Sequence, residues 1–230
     1  MMKKFQILCF AILSMALFSS CNDDSGTYVS QLFTDSQKSL AIKTCLEVST
    51  DTAVNHLCVS NGFSGYNNGV YRIDYSGVQN VFDTLAAHDY GYLNDSLILF
   101  TNRMAEGCGV VVKTAFKDAI GNLVVHDLDE LINGDDHAIT DYFVQMKSHD
   151  LREAMRTPVG IRMDIYKVTE TWNDMAGKYY TITNKPLTYD VQGYVIDKML
   201  NGLFEEMRNE EYLIRTDSTH RNSADSLLGL

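Results

Sequence analysis

Apolar residues recur at steps of three and four along most of this chain. Between residues 92 and 122 the series Leu93, Leu97, Phe100, Met104, Cys108, Val111 and Ala115 marks one face of a helix with 3.6 residues per turn. A half-buried strand would instead alternate with a period of two. Only Pro158 and Pro186 interrupt the backbone donors with a proline ring, so long helices are permitted almost throughout. The pattern predicts an all-α fold, a single multi-helix, bundle-like domain.

The same periodicity places the other elements. A helix is expected over 36–60, with Ile42, Leu46, Ala53 and Leu57 on one stripe and Asn61-Gly62 as its C-cap. Residues 63–75, rich in Gly, Asn and Tyr, read as a structured loop. A second helix starts at Ser76, turns Val78, Phe82 and Leu85 inward and stops before Gly91. The 92–122 segment reads as one long helix. Gly107 and Gly109 within it each weaken a helix by about 1 kcal/mol relative to Ala, which suggests another helix crossing closely. Short helices follow over 127–133 and 135–147. Ser148 is placed to cap the next, with Pro158 in an accepting first turn. Helical spacing continues over 172–180, a loop surrounds Pro186, and a last helix over 190–214 turns Val195, Met199, Leu203 and Met207 inward.

The N-terminus carries a different signal. Lys3 and Lys4 precede an apolar run from Phe5 to Phe18, broken only by Gln6 and Ser14, and then come Ser19, Ser20 and Cys21. That run is short for a bilayer of about 30 Å and ends at small residues, the order of an export signal. Leu17-Phe18-Ser19-Ser20-Cys21 resembles a lipobox, which implies cleavage after residue 20 and diacylglycerol on the Cys21 sulfur. The expected organisation is a lipoprotein signal peptide over 1–20, a flexible tether over 21–35 and a helical domain over 36–230. Acyl chains bury methylenes at about 0.8 kcal/mol each, so the expected membrane partner is engaged through lipid. Asn22-Asp23-Asp24 resembles the acidic tag of outer-membrane lipoproteins, giving an expected location on the outer membrane with surface exposure as one outcome.

Charge narrows the partners. The chain has 19 Lys and Arg against 30 Asp and Glu, net −11, and losing Lys3 and Lys4 takes the mature form to −13. Such an acidic protein has no basic footprint for nucleic acid and no polybasic grip on anionic lipid. Cys45, Cys58 and Cys108 follow no disulfide framework. They read as buried thiols, with one bridge involving Cys108 as the alternative.

Three strings become informative together: Thr101-Asn102-Arg103-Met104-Ala105-Glu106, the segment Asn133 to Phe143, and Gly202-Leu203-Phe204 with Glu210-Glu211 and Arg215. With Asn61-Gly62-Phe63 they resemble an uncharacterised family of bacterial exported and lipid-anchored proteins, a domain of unknown function. Met104 and Ile139 replace small residues of that pattern, and Gly107 and Cys108 stand where alanine is common. The resemblance covers roughly residues 36–230. It implies a helical fold at the envelope and brings no activity.

The residues themselves leave alternatives. Arg103 and Glu106, three apart, suffice as an ion pair on one helix face. With Asn102 they also suit a polar pocket for a carboxylate or phosphate. Asp136 and Thr140, four apart, complete the candidate polar site Asn102, Arg103, Glu106, Asp136 and Thr140. His126, Asp127, Asp129, Glu130, Asp135, Asp136, His137 and Asp141 crowd one stretch, but no HExxH or calcium-loop spacing occurs and no metal or cofactor is expected. Asp135 and Asp136 read instead as helix-capping residues. No catalytic constellation emerges, since Cys108 lies on an apolar seam. The leading expectation is a non-enzymatic envelope lipoprotein, a helical binding module for an envelope protein or small ligand. The alternatives are an enzyme or ligand-binding protein using the polar site, and a carrier of a hydrophobic ligand.

Overall fold

The computed structural model describes residues 33–221 and 226–228. The expected signal peptide, Cys21 and nearly all of the expected tether lie outside them. The described residues are helical and contain no strand.

Helix α1 (Asp35–Leu57) opens with a reciprocal cap in which Thr34 Oγ1 accepts from the Gln37 amide and Gln37 Oε1 accepts from the Thr34 amide. After a single turn, α2 (Gly62–Gly65), the chain runs through left-handed Asn67, Asn68 and Tyr75 into α3 (Gln79–Ala86). Then follow α4 (Gly91–Glu106), α5 (Gly109–Gly121), α6 (Leu128–Ile132), α7 (Ala138–Ile165), α8 (Val168–Thr183) and α9 (Val191–Thr216). Helix α9 packs mainly on α1 and α7, and α5 packs on the same two from the far side, closing a ring of four. Phe116, Phe143 and Phe204, one each from α5, α7 and α9, meet in its centre with ring centroids 5.8–6.4 Å apart. Helices α3, α4 and α8 form a second group, filled by Tyr75, Phe82 and Trp172.

The inward residues of the last helix are as the spacing predicts, with Val195, Met199, Leu203 and Met207 at most 1% exposed. The expected long helix over 92–122 is instead two helices, parted at Gly107-Cys108. A side chain at Gly107 would overlap the Tyr166 hydroxyl at the end of α7. The break advances the buried stripe by one residue, so Val112, Phe116 and Ile120 face the core where Val111 and Ala115 were expected. The expected break at Ser148 is absent, and Pro158 lies inside α7. An interior proline removes one helical donor and costs about 3 kcal/mol. Leu151, Met155, Val159 and Met163 step through it in fours, all buried, and that packing outweighs the local cost. Asn61 is left-handed, with φ of 63°, but it precedes α2 rather than capping α1, which ends at Leu57.

A buried ion pair joins the ends of three helices. Glu211 on α9 is fully buried, and its carboxylate accepts from the Ile139 amide at 2.9 Å and the Thr140 amide at 2.7 Å, first-turn donors of α7 that have no partner within the helix. Arg215, one turn on, binds Glu211 at 2.8 Å and donates to the Ile132 and Leu131 carbonyls that end α6. Removing one member of a buried pair strands the other and costs about 3–5 kcal/mol. Glu211→Gln is therefore expected to lower the unfolding free energy by about that amount, measured by urea denaturation of the full chain. A loss under about 1 kcal/mol would show that the junction is not under tension.

Candidate functional site

Asn102, Arg103 and Glu106 occupy the last turn and a half of α4, where they hold the 60–75 connection. The Asn102 amide pairs with both polar groups of Ile73, accepting its N–H at 3.0 Å and donating to its carbonyl at 2.9 Å. Glu106 is buried and accepts from the Ser64 hydroxyl at 2.7 Å, while Arg103, half-exposed, pairs with it at 2.9 Å. Thr140 sits at the start of α7 with its amide on Glu211, and Asp136 is exposed ahead of that helix. No hydrogen bond or ion pair joins the two groups among the described residues. The expected capping by Asp135 and Asp136 also differs. The Asp135 carboxylate accepts from the His137 amide at 3.3 Å, ahead of the helix, and Glu211 of α9 takes the Ile139 and Thr140 donors of α7. Among the described residues no group of His, Cys, Asp and Glu is arranged to hold a metal ion.

A different constellation lies on α9, facing α1 and the same connection. Glu206 is buried and presents Oε2 to His56 Nδ1 at 2.8 Å. Its Oε1 accepts from the Tyr71 hydroxyl at 2.5 Å and from Asn209 at 3.2 Å. Burial, and then the hydrogen bond to Glu206, push the Tyr71 phenol above its ordinary range, so it stays a donor. Tyr66 is pushed up by burial and by the Glu206 charge, and its ring stacks on His56 with centroids 4.7 Å apart. One turn further on, buried Glu210 contacts His220 Nδ1 at 3.2 Å. These groups border a cleft of about 320 Å³ lined by Thr52, His56, Tyr66, Asn67, Glu206 and Glu210, with Asn209 and Leu213.

The sequence makes this arrangement by local means. An ionised carboxylate only accepts, so Glu206 fixes the proton of His56 on Nδ1 and leaves Nε2 as the open nitrogen. His56 is 40% exposed against 4% for Glu206, which puts the imidazole at the cleft and the carboxylate behind it. Gly62 lets α2 press against the end of α1, since any side chain there would overlap the Leu57 carbonyl. Phe63 and Tyr71 pack over Gly202 of α9, leaving room there for no more than a methyl group in ordinary contact. Sequence reasoning missed His56, Glu206 and Glu210 as site residues. The available signal was Glu210, which continues the inward series Leu203 and Met207 and so is carried to the inner face as a charge.

Cys58 and Cys108 are thiols, Cys58 ending α1 and Cys108 parting α4 from α5; Cys45 is buried inside α1. Burial pushes Cys58 up to about 12, helped by Cys108 and Glu106, and Cys108 up to about 11. Both remain protonated at pH 8, and the thiolate is the nucleophile. Iodoacetamide at pH 8 is expected to leave Cys58 and Cys108 unmodified in the folded chain and to alkylate them in guanidinium, read by peptide mass spectrometry. Rapid native labelling of either would contradict this burial. Asn102→Ala would strand the N–H and carbonyl of fully buried Ile73, at about 1–3 kcal/mol each. It is expected to destabilise the chain by about 2–6 kcal/mol and to raise hydrogen exchange across 61–75; unchanged exchange there would count against the clamp.

No curated protein and no solved structure matches the chain. A family model described as "Protein of unknown function (DUF4197)" matches residues 32–228. The chain belongs to the DUF4197 family.

Proposed function

We propose that this protein is a lipid-anchored binding protein of the outer membrane that takes a small polar ligand into the His56–Glu206 cleft. The observation that carries this reading is the imidazole held by a buried carboxylate, with Nε2 left unbonded at the edge of a cleft. Buried carboxylates are expensive unless hydrogen-bonded, and Glu206 gathers three side chains to hold one ring in place. The loop that brings Tyr66 and Asn67 to the cleft holds Asn67 and Asn68 at positive φ, a conformation kept where packing imposes it.

The anchor is Cys21, on a tether of about 14 residues that reaches at most about 50 Å from the lipid. No described helix is long and apolar enough to cross a membrane. Clefts of 260–510 Å³ in the domain are each lined by charged side chains, which favours a polar ligand over a fatty cargo. A second reading, acid–base catalysis, rests on the same feature, because an imidazole oriented at Nδ1 by a carboxylate is the arrangement of a general base.

Two measurements test the proposal. Palmitate feeding of cells is expected to label the wild type and not Cys21→Ala; equal labelling would end the anchoring assignment. Tagged full-length protein taken from intact envelopes is expected to carry a small molecule in native mass spectrometry that His56→Ala loses. Preparations with no bound mass, or with one indifferent to His56→Ala, would remove the cleft as the site. Recovery of the molecule unaltered after incubation supports binding, and its conversion supports the catalytic reading.

A further inference from the structure

Four glutamates are buried among the described residues: Glu106, Glu206, Glu210 and Glu211. Two of them are matched by a guanidinium, Glu106 by Arg103 and Glu211 by Arg215. The other two, Glu206 and Glu210, meet only imidazoles in their ion pairs, His56 and His220. They lie four apart on α9, so both carboxylates fall on one face, and both line the cleft described above. Arg208, which lies between them in sequence, pairs with Asp141 at 2.7 Å and Glu205 at 2.9 Å.

The cleft therefore differs from its neighbours in charge. Those beside Arg152, beside Lys113 and Lys117, and beside Lys147 carry their own cation, whereas none of the residues lining this one is Lys or Arg. The cleft at Asp127, Glu130, Asp135 and Asp141 also lacks one, but its carboxylates stand in solvent, where hydration stabilises them. Burying an anion against a neutral partner costs several kcal/mol, and a cation of matching shape removes that cost. Thr52, Asn67 and Asn209 add neutral hydrogen-bonding groups around the two carboxylates, and His56 Nε2 adds an acceptor. The arrangement is rich in acceptors and poor in positive charge.

Resting on the proposed ligand site, we infer that its ligand is a small organic cation carrying a primary ammonium or guanidinium group, held between Glu206 and Glu210 with His56 Nε2 accepting a further hydrogen bond. A cleft of about 320 Å³ is at the small end of ligand sites, which suits one such head group rather than a folded partner. The acidity of the whole chain, net −11, draws cations toward it in the same sense.

Agmatine, which carries both groups, and 1,5-pentanediol, an uncharged hydrogen-bonding chain of similar length, separate charge from hydrogen bonding along a short chain. Calorimetric titration of the full chain in neutral detergent is expected to show saturable agmatine binding and at least about tenfold weaker pentanediol binding, with agmatine weakened about tenfold or more by Glu210→Gln. Thr52→Lys brings an ammonium of its own to the cleft. It is expected to abolish agmatine binding without lowering the melting temperature, which distinguishes occupancy from misfolding. Agmatine binding that Glu210→Gln and Thr52→Lys leave unchanged would overturn the inference, as would pentanediol binding equally well. Vesicles of phosphatidylethanolamine that compete with agmatine assign the cation to a lipid head group; vesicles that do not compete assign it to a soluble amine. If agmatine fails while a neutral, His56-dependent molecule co-purifies from envelopes, the site stands and its charge preference falls. If nothing co-purifies either, both fall.

Discussion

The junction of Glu211 and Arg215 is the constraint on which the rest of this fold depends. Helices α6 and α7 meet end to end across Asn133 to His137, so the last carbonyls of one and the first amides of the other are buried in the same place without helical partners. The α7 terminus has no side-chain cap of its own, since His137 makes no cap bond, and the Asn133 side chain that follows α6 donates to the Asp129 carbonyl, not to those of Leu131 and Ile132. One carboxylate and one guanidinium on α9, a single turn apart, answer both sets of groups. A negative charge at a helix N-terminus and a positive one at a C-terminus are each also favoured by the helix dipole. The long helix α9 is thereby locked in register against α7, and that register fixes where Glu206 and Glu210 fall.

The other side of α9 is set by a second polar clamp, of a different kind. The connection from Asn61 to Tyr75 has little regular hydrogen bonding of its own, yet Phe63, Ile73 and Tyr75 are fully buried. Asn102 supplies Ile73 with a donor and an acceptor from a single amide, and Glu106 takes the hydroxyl of Ser64. The Asn-Arg-x-x-Glu string thus stitches a loop to a helix. Once the loop is fixed, Tyr66 and Tyr71 have a defined place against α9, and His56 has a wall to stack on. The cleft is a product of these two clamps, with its floor on α9 and its rim on the loop.

Much of the helical architecture was legible because burial and helical period speak through the same residues. Val195, Met199, Leu203 and Met207 identify their helix and its inward face at once. What the period could not convey was a break that preserves the pattern. The seam runs on from Met104 through Cys108 into α5, and the Tyr166 hydroxyl that packs against Gly107 at the break is remote in sequence. Pro158 misled for the opposite reason, because a local signal was overruled by four buried residues spaced around it. The polar strings were visible as strings, but their partners were not. Asn102 pairs with a backbone 29 residues away, and Glu211 with amides 71 and 72 residues away. His56 looks, in sequence, like any polar residue on the outer face of a helix, and only the fold brings Glu206 to it across 150 residues.

The four buried glutamates therefore divide by partner, and the division separates scaffold from site. A carboxylate matched by arginine has its charge balanced permanently, because guanidinium does not lose its proton in a protein. Such pairs suit joints, and Glu106 and Glu211 are both at joints. A carboxylate facing an imidazole is balanced only when that ring is protonated, and at neutral pH an imidazole is the side chain most readily moved between its two states. Placing two such pairs side by side on one helix face would be a poor way to stabilise a bundle, where apolar side chains of similar volume serve at least as well. Their cost is accounted for if the missing positive charge comes from outside the chain, and the open edge of the cleft is where it would enter.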